Sequence, residues 1–265
     1  MTRFLHLTDL HITPEGDTLP ALDRALDIAR RIDPAPEFIV VSGDLTDRGD
    51  AESYAILAAR MAGLDVPVIY ALGNHDHRAA FHTAFPGHPG ASDGPLDHDH
   101  VIAGLHVIVL DSSVPGRTSG GLQTDQFELL AATLAAHPGR PKVLVIHHPP
   151  ASGAGERAWA QLDPGDSDRL AGLIAGTDVR VILAGHIHLN RLSLWHGIPV
   201  VTPIGLHSTI DLTDEVTRSG GLAIVGGAGL GICDLTETGV NYVFVPLWPG
   251  EAQRTVSPDQ LAGLR

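Results

Sequence analysis

The chain has 265 residues and a mass of 27.9 kDa, enough to bury one substantial core, since single α/β domains commonly run to about 200 to 250 residues. Hydrophobic residues make up 43% and charged residues 18%, a globular balance that excludes a wholly disordered or fibrous chain. With 17 Lys and Arg against 31 Asp and Glu the formal charge is −14, which disfavours general binding to a nucleic-acid polymer.

In chain order, β-branched apolar runs alternate with helical periodicity, as repeated βα units around a buried sheet require. Strands are expected at Phe4–Leu7, Phe38–Ser42, Val66–Leu72, His106–Leu110, Val143–Ile146 and Val179–Ala184. Helices are expected at Ala21–Ile32, Glu52–Ala62, Thr124–His137 and Asp168–Ala175, with Thr124 and Asp168 near their starts as caps. After Ala184 the pattern shifts to short strands at Arg191–Trp195, Pro199–Thr202, Leu230–Asp234 and Asn241–Pro246, the last two joined by a turn at Thr238 and Gly239. Segments 86–100 and 206–227 read as long loops, the second as a lid, a dimer contact or a simple loop. No linker or internal repeat divides the chain, so residues 1–265 are expected to form one domain.

The single cysteine, Cys233, has no intramolecular partner, and no charged-then-apolar leader precedes the first strand, so a cytoplasmic location is expected. The longest weakly polar run, Gly220–Ile232, is well short of the roughly 20 apolar residues of a membrane helix, and no membrane association is expected.

Histidine is the unusual residue: there are 16, against 3 Trp, 3 Tyr and 6 Phe. Position decides whether such a surplus solvates a surface or binds metal. The first strand ends in Asp9 and His11, the second in Asp44, the third in Asn74, His75 and Asp76, the fifth in His147 and His148, and the sixth in His186 and His188. Ligands gather at the carboxyl ends of strands in open α/β sheets. Asp9 and His11, like His186 and His188, are two apart and point to one side of an extended segment, whereas adjacent His147 and His148 diverge. Gly43, Gly73 and Gly185, each just before one of these polar residues, suit sharp exits where backbone approaches a cluster closely.

Mixed carboxylate, imidazole and amide donors suit Mn, Fe, Zn or Co better than Ca, and there are too many for one structural Zn. The set suits two ions about 3.5 to 4 Å apart sharing one carboxylate, an arrangement that clamps both oxygens of an in-line displacement at phosphorus. Two divalent ions, two carboxylates and a hydroxide sum to about +1, so a phosphate ester has a place to bind in an acidic protein.

The ordered motifs Asp-Leu-His, Gly-Asp-Leu-Thr-Asp, Gly-Asn-His-Asp, His-His-Pro-Pro and Gly-His-Ile-His together resemble the calcineurin-like metallophosphoesterase superfamily, over about residues 3–205. Gly-Asn-His-Asp and the compact length resemble, within it, the bacterial class III cyclic nucleotide phosphodiesterases and related glycerophosphodiesterases. The resemblance implies an α/β fold, a four-layer αββα sandwich of two mixed sheets with the metal site at strand carboxyl ends. It further implies one ion held by Asp9, His11, Asp44 and His188 and another by Asp44, Asn74, His147 and His186, with Asp44 bridging. His75 would contact the phosphate and protonate the leaving alkoxide, Asp76 would orient it, and Asn74 and His207 would face substrate. Fe/Mn or Mn/Mn pairs are expected, with Zn and Co also compatible, and attack at phosphorus by a metal-bridging hydroxide.

The expected activity is hydrolysis of a small phosphodiester, cyclic nucleotides first and glycerophosphodiesters next. A broad-specificity phosphoesterase and an inert protein-binding scaffold are the alternatives, and a homodimer is compatible with either. Arg48 reads as a solvated loop arginine, His98 and His100 as part of a charged exposed loop, and His148 as structural.

Overall fold

A computed structural model describes residues 1–89, 94–152, 157–248, 256–258 and 260. The period-2 alternation of its strands is buried on both faces. In β1 (Thr2–Leu7), Phe4 enters one apolar layer while Leu5 and Leu7 enter another. In β6 (Lys142–Ile146), Val143 and Val145 join the layer of Phe4, and Leu144 and Ile146 enter a third. A strand with two apolar faces needs cover on both, which is why the architecture has four layers.

The first sheet contains β1, β2 (Phe38–Ser42), β3 (Val68–Ala71), β12 (Gly229–Leu235) and β13 (Val240–Pro246), in the order β13-β12-β1-β2-β3. Its outer face packs on α1 (Leu19–Arg31), α2 (Ala51–Met61) and α3 (Arg78–Ala84) through Leu22, Leu57 and Phe81. The second sheet contains β4 (His98–Ile102), β5 (Leu105–Leu110), β6, β7 (Val179–Leu183), β8 (Arg191–Trp195) and β9 (Ile198–Thr202), in the order β4-β5-β6-β7-β9-β8. Its outer face packs on α4 (Thr124–Ala136) and α5 (Pro164–Ile174) through Phe127, Leu130 and Leu170. Both sheets are mixed: β1-β2-β3 and β5-β6-β7-β9 are parallel, and β12, β13, β4 and β8 add antiparallel pairings. The αββα sandwich is the expected one.

Several local expectations are corrected. Helix α5 starts at Pro164, capped by Asp163 through the N–H groups of Gly165 and Asp166, so Asp168 lies inside the helix. Gln123, not Thr124, caps α4 in a reciprocal pair with Gln126. Segment 86–100 contains the start of β4; its residues 90–93 lie outside the described residues. His98, expected in an exposed loop, is a buried strand residue whose Nε2 donates to the Tyr70 carbonyl at 2.8 Å. Segment 206–227 holds the two-stranded hairpin β10 (Thr209–Ile210) and β11 (Ile224–Val225), with the short helix α6 (Glu215–Arg218) between. Among the described residues, no helix is long and apolar enough to cross a membrane.

Candidate two-metal active site

Every motif singled out in the sequence follows a parallel strand at its carboxyl end, and the two sheets share the resulting site. Asp9 and His11 follow β1, Asp44 follows β2 and Asn74 follows β3; His147 follows β6, and His186 and His188 follow β7. Close backbone approach makes this convergence possible. A Cβ on Gly73 would collide with the Asp44 carboxylate, and one on Gly185 with the Thr8 hydroxyl and Asp9. Asp9, His11, Asp44, His186 and His188 all adopt positive φ, between 43° and 73°. That region is unfavourable for residues with a side chain and persists where surrounding structure enforces it, as at functional sites.

The hydrogen bonds fix which ring atom each histidine offers. His147 Nδ1 donates to the Ser42 carbonyl at 2.8 Å, tying one sheet to the other and leaving Nε2 3.3 Å from Asp44 Oδ2. His11 Nδ1 lies 3.1 Å from Asp47 Oδ1, and His188 Nδ1 donates to the Ser208 carbonyl at 3.0 Å. The Nε2 atoms of His11 and His188 then lie 3.3 Å apart. His11 Nε2 is 3.6 Å from Asp44 Oδ2, and His188 Nε2 is 3.5 Å from Asp9 Oδ1. His186 Nε2 donates to the Trp159 carbonyl at 2.6 Å, which leaves Nδ1 as its open atom.

These spacings fit cations. Metal–ligand bonds of about 2.0–2.2 Å put neighbouring ligand atoms roughly 3 to 3.5 Å apart. Asp44 Oδ2 stands within that span of His147, at 3.3 Å, and just beyond it from His11, at 3.6 Å, between the two as a shared carboxylate must be. Asn74 Oδ1 and His147 Nε2 are buried without a hydrogen-bond partner, although buried polar atoms are almost always satisfied. Burial holds His186 down at about 4 and His11 below its ordinary value, so both rings are neutral with a lone pair to offer near pH 7. Burial would lower His147 too, but Asp44 beside it lifts it to about 9. Burial alone would raise Asp44; His147, His11 and His75 reverse that and hold its carboxyl well below the usual range.

The remaining expected residues divide between the rim, where His75 and His207 line the pocket, and positions behind it, where Asp76 and His148 lie. His75 is half-exposed, its Nδ1 donates to the Asp47 carbonyl at 2.8 Å, and its backbone N–H donates to Asp44 Oδ1 at 3.0 Å. Asp76, expected to orient His75, does something else. Its buried carboxylate accepts from the N–H groups of Gly73, Leu45 and Thr46 and from the Tyr54 hydroxyl, at 2.8 to 3.1 Å. It clasps the two loops carrying Asp44 and Asn74, and Asp47 is the residue that orients His75. Burial and nearby Asp44 push the Asp76 carboxyl up to about 6. His207 places its ring 4.9 Å from that of His11, on the pocket wall. His148 is structural: Nδ1 meets Ser112 Oγ and Nε2 the Thr118 carbonyl. Arg48 is exposed and pairs with Glu15 and Asp47.

Sequence reasoning missed Asp47, Ser208 and Trp159. Asp47 stands three residues after Asp44 inside a motif already singled out, so a signal existed. Ser208 and Trp159 carry none. All border a pocket of about 410 Å³ that also exposes His11, Asp44, Asn74, His75, His186 and His188.

A family model described as calcineurin-like phosphoesterase matches residues 2–190. A probable cyclic nucleotide phosphodiesterase of Rhodococcus erythropolis is 34% identical over 253 residues, covering 92% of this chain and 83% of the relative. A cAMP/cGMP dual specificity phosphodiesterase of Mycobacterium tuberculosis is 34% identical over 97% of this chain and 83% of its own. A probable glycerophosphodiester phosphodiesterase of Arcobacter nitrofigilis is 29% identical over 75% of this chain and 76% of its own. In fold, the chain is similar to a dimetal phosphatase from Danio rerio, with a TM-score of 0.68 and 13% identity over 93% of this chain and 96% of the other. With motifs, architecture and family model in agreement, the chain belongs to the calcineurin-like phosphoesterase family.

Proposed function

We propose that this protein is a two-metal phosphodiesterase acting on small diesters, with 3′,5′-cyclic nucleotides as its substrates. The observation that carries the reading is the gathering of His11 and His147 on Asp44, with the buried Asn74 Oδ1 and His147 Nε2 left without partners, at a pocket lined, among the described residues, by no Lys or Arg. A diester carries one negative charge and a monoester nearly two, so monoester recognition usually adds cationic side chains beyond the metals. The names of the relatives, two cyclic nucleotide phosphodiesterases at 34% identity, support the same class.

In this reading Asp9, His11, Asp44 and His188 hold one ion and Asp44, Asn74, His147 and His186 the other, Asp44 serving both. The mixed oxygen and nitrogen donors suit Fe/Mn or Mn/Mn, with Zn and Co compatible. When bound, the ions supply positive charge for the phosphoryl oxygens and acidify water at the site. The chain's own residues do the rest. Asp47 and Ser208 fix the tautomers of His11 and His188, so that each presents Nε2. His75, its Nδ1 held by the Asp47 carbonyl, turns Nε2 to the pocket and from there delivers a proton to the departing ester oxygen. Asp76 keeps the Asp44 and Asn74 loops in register, and His207 faces substrate beside His11.

We assign residues 1–265 to one domain and place its action in the cytoplasm, in keeping with a buried, free Cys233. The test is a substrate panel with Mn²⁺: 3′,5′- and 2′,3′-cyclic nucleotides, glycerophosphodiesters, bis(4-nitrophenyl) phosphate and 4-nitrophenyl phosphate. Cyclic nucleotides should lead, and a dominant monoesterase activity would overturn the reading. The glycerophosphodiesterase-named relative favours glycerophosphodiesters as the second reading.

A further inference from the structure

Beside the metal-binding residues, the same pocket has an apolar side that no step of the mechanism uses. Ile210, Leu222 and Ile224, from the hairpin and the segment leading into it, line it together with Trp159. Leu222 and Ile224 are 40% and 65% exposed, and large apolar side chains gathered at the mouth of a polar site are a binding feature rather than ordinary surface. Their placement is fixed by the metal-binding residues themselves. The Trp159 carbonyl accepts from His186 Nε2, which brings its indole in on the His186 side, with the ring 5.8 Å from that imidazole. On the other side, Thr209 Oγ1 donates to the His188 carbonyl at 2.8 Å, and the Ser208 carbonyl accepts from His188 Nδ1. The hairpin is thereby anchored to one ligand histidine and Trp159 to the other.

We infer that Trp159, Ile210, Leu222 and Ile224 form a nucleobase subsite, so that segment 206–227 supplies substrate specificity as a fixed wall of the pocket. The inference rests on the phosphodiesterase reading and deepens it. A diester with glycerol on both sides, or glycerol and a charged headgroup, has nothing flat and apolar to lay against these side chains. A cyclic nucleotide does, since its base carries an apolar π-face on the side of the ribose away from phosphorus. The pocket, about 410 Å³, lies within the usual range of roughly 300 to 1,000 Å³ for small-molecule sites. Two hydroxyls beside the subsite are already engaged: Thr209 Oγ1 on the His188 carbonyl, Ser208 Oγ against His188 and His207. The apolar side chains of the subsite can meet only the face of the base and not its hydrogen-bonding edge, so their contribution should be alike for adenine and guanine.

The experiment compares Trp159→Ala and Ile224→Ser with the unaltered, metal-loaded protein. Neither position is part of a packed core, and metal content per chain verifies that each variant keeps its site. Both substitutions should raise KM for 3′,5′-cAMP and 3′,5′-cGMP by about tenfold, the scale of losing one apolar contact in a binding pocket. Inhibition by inorganic phosphate, which has no base and probes only the metal centre, should keep its constant. Unchanged KM for cAMP in both variants overturns the inference alone. Turnover of glycerophosphodiesters without any of cyclic nucleotides also overturns it, while the diesterase reading stands. If the metal-loaded protein hydrolyses no diester, the reading itself fails and the subsite with it.

Discussion

His11 and His188 turn their Nε2 atoms toward one another at 3.3 Å, while Asp47 and the Ser208 carbonyl occupy both Nδ1 positions. With both Nδ1 atoms engaged, the two facing Nε2 atoms are the ring atoms left to share a cation, which would hold the segments carrying them together. Metal should therefore stabilise the fold measurably. At free Mn²⁺ about 100-fold above its Kd the gain is about 2.7 kcal/mol, seen as a rise in Tm over chelator-treated protein. His188→Gln should lose much of that rise.

Asp47→Ala removes the partner of His11 Nδ1 without touching a metal-binding atom. Metal affinity should fall about 10- to 100-fold, as for other carboxylates that orient a ligating histidine. Metal titration followed by activity or calorimetry measures it, and excess Mn²⁺ should restore much of the lost turnover.

His75→Ala separates proton delivery from phosphate binding. For a diester with an alkoxide leaving group, kcat/KM should drop about 10²- to 10⁴-fold. The loss should be much smaller with bis(4-nitrophenyl) phosphate, whose leaving group departs without a proton. Equal losses on the two would argue against His75 as the general acid.

Tyr54→Phe tests the clasp beneath the site. The buried Tyr54 hydroxyl donates to Asp76 at 2.8 Å and accepts from the His77 N–H at 2.9 Å. Removing it leaves the His77 N–H without its acceptor and the Asp76 carboxylate without one donor, its three backbone donors remaining, and should destabilise the protein by about 1–3 kcal/mol, read from chemical denaturation, with a loss of activity because Asp76 holds both loops.

Acid should unfold the metal-free protein through its buried histidines. Burial lowers His6, held between Tyr242 and Ser42, to about 3, and His98 likewise to about 3. Both are neutral when folded, whereas in the unfolded chain they titrate near the ordinary value of about 6.5. Above that pH neither state binds the proton and stability is whole. Between about 6.5 and 3 the unfolded chain alone takes it up, so stability should fall with pH across that window. His98→Gln should flatten the slope measured by denaturation from pH 7 to 4.

From residue order alone, the chain determined its alternating apolar strands and helices and the polar residues at the strand ends, because these depend on local periodicity and on which residue follows a strand; the four-layer sandwich followed from the family resemblance of those motifs. The alternating Asp-His-Asp-His of residues 97–100 concealed β4, since His98 and the ring of His106 are buried against neighbours rather than solvated. The hairpin in segment 206–227 was hidden for a related reason: it pairs only two residues on each strand and is anchored through His188. Tertiary structure alone decided that Asp76 clasps loops and Asp47 orients His75, because those roles follow from hydrogen bonds across segments about 30 residues apart. It also decided the left-handed backbone at Asp9, His11, Asp44, His186 and His188. Asp and His enter that region more readily than most side chains, but five such residues together are held there by the surrounding packing and hydrogen bonds.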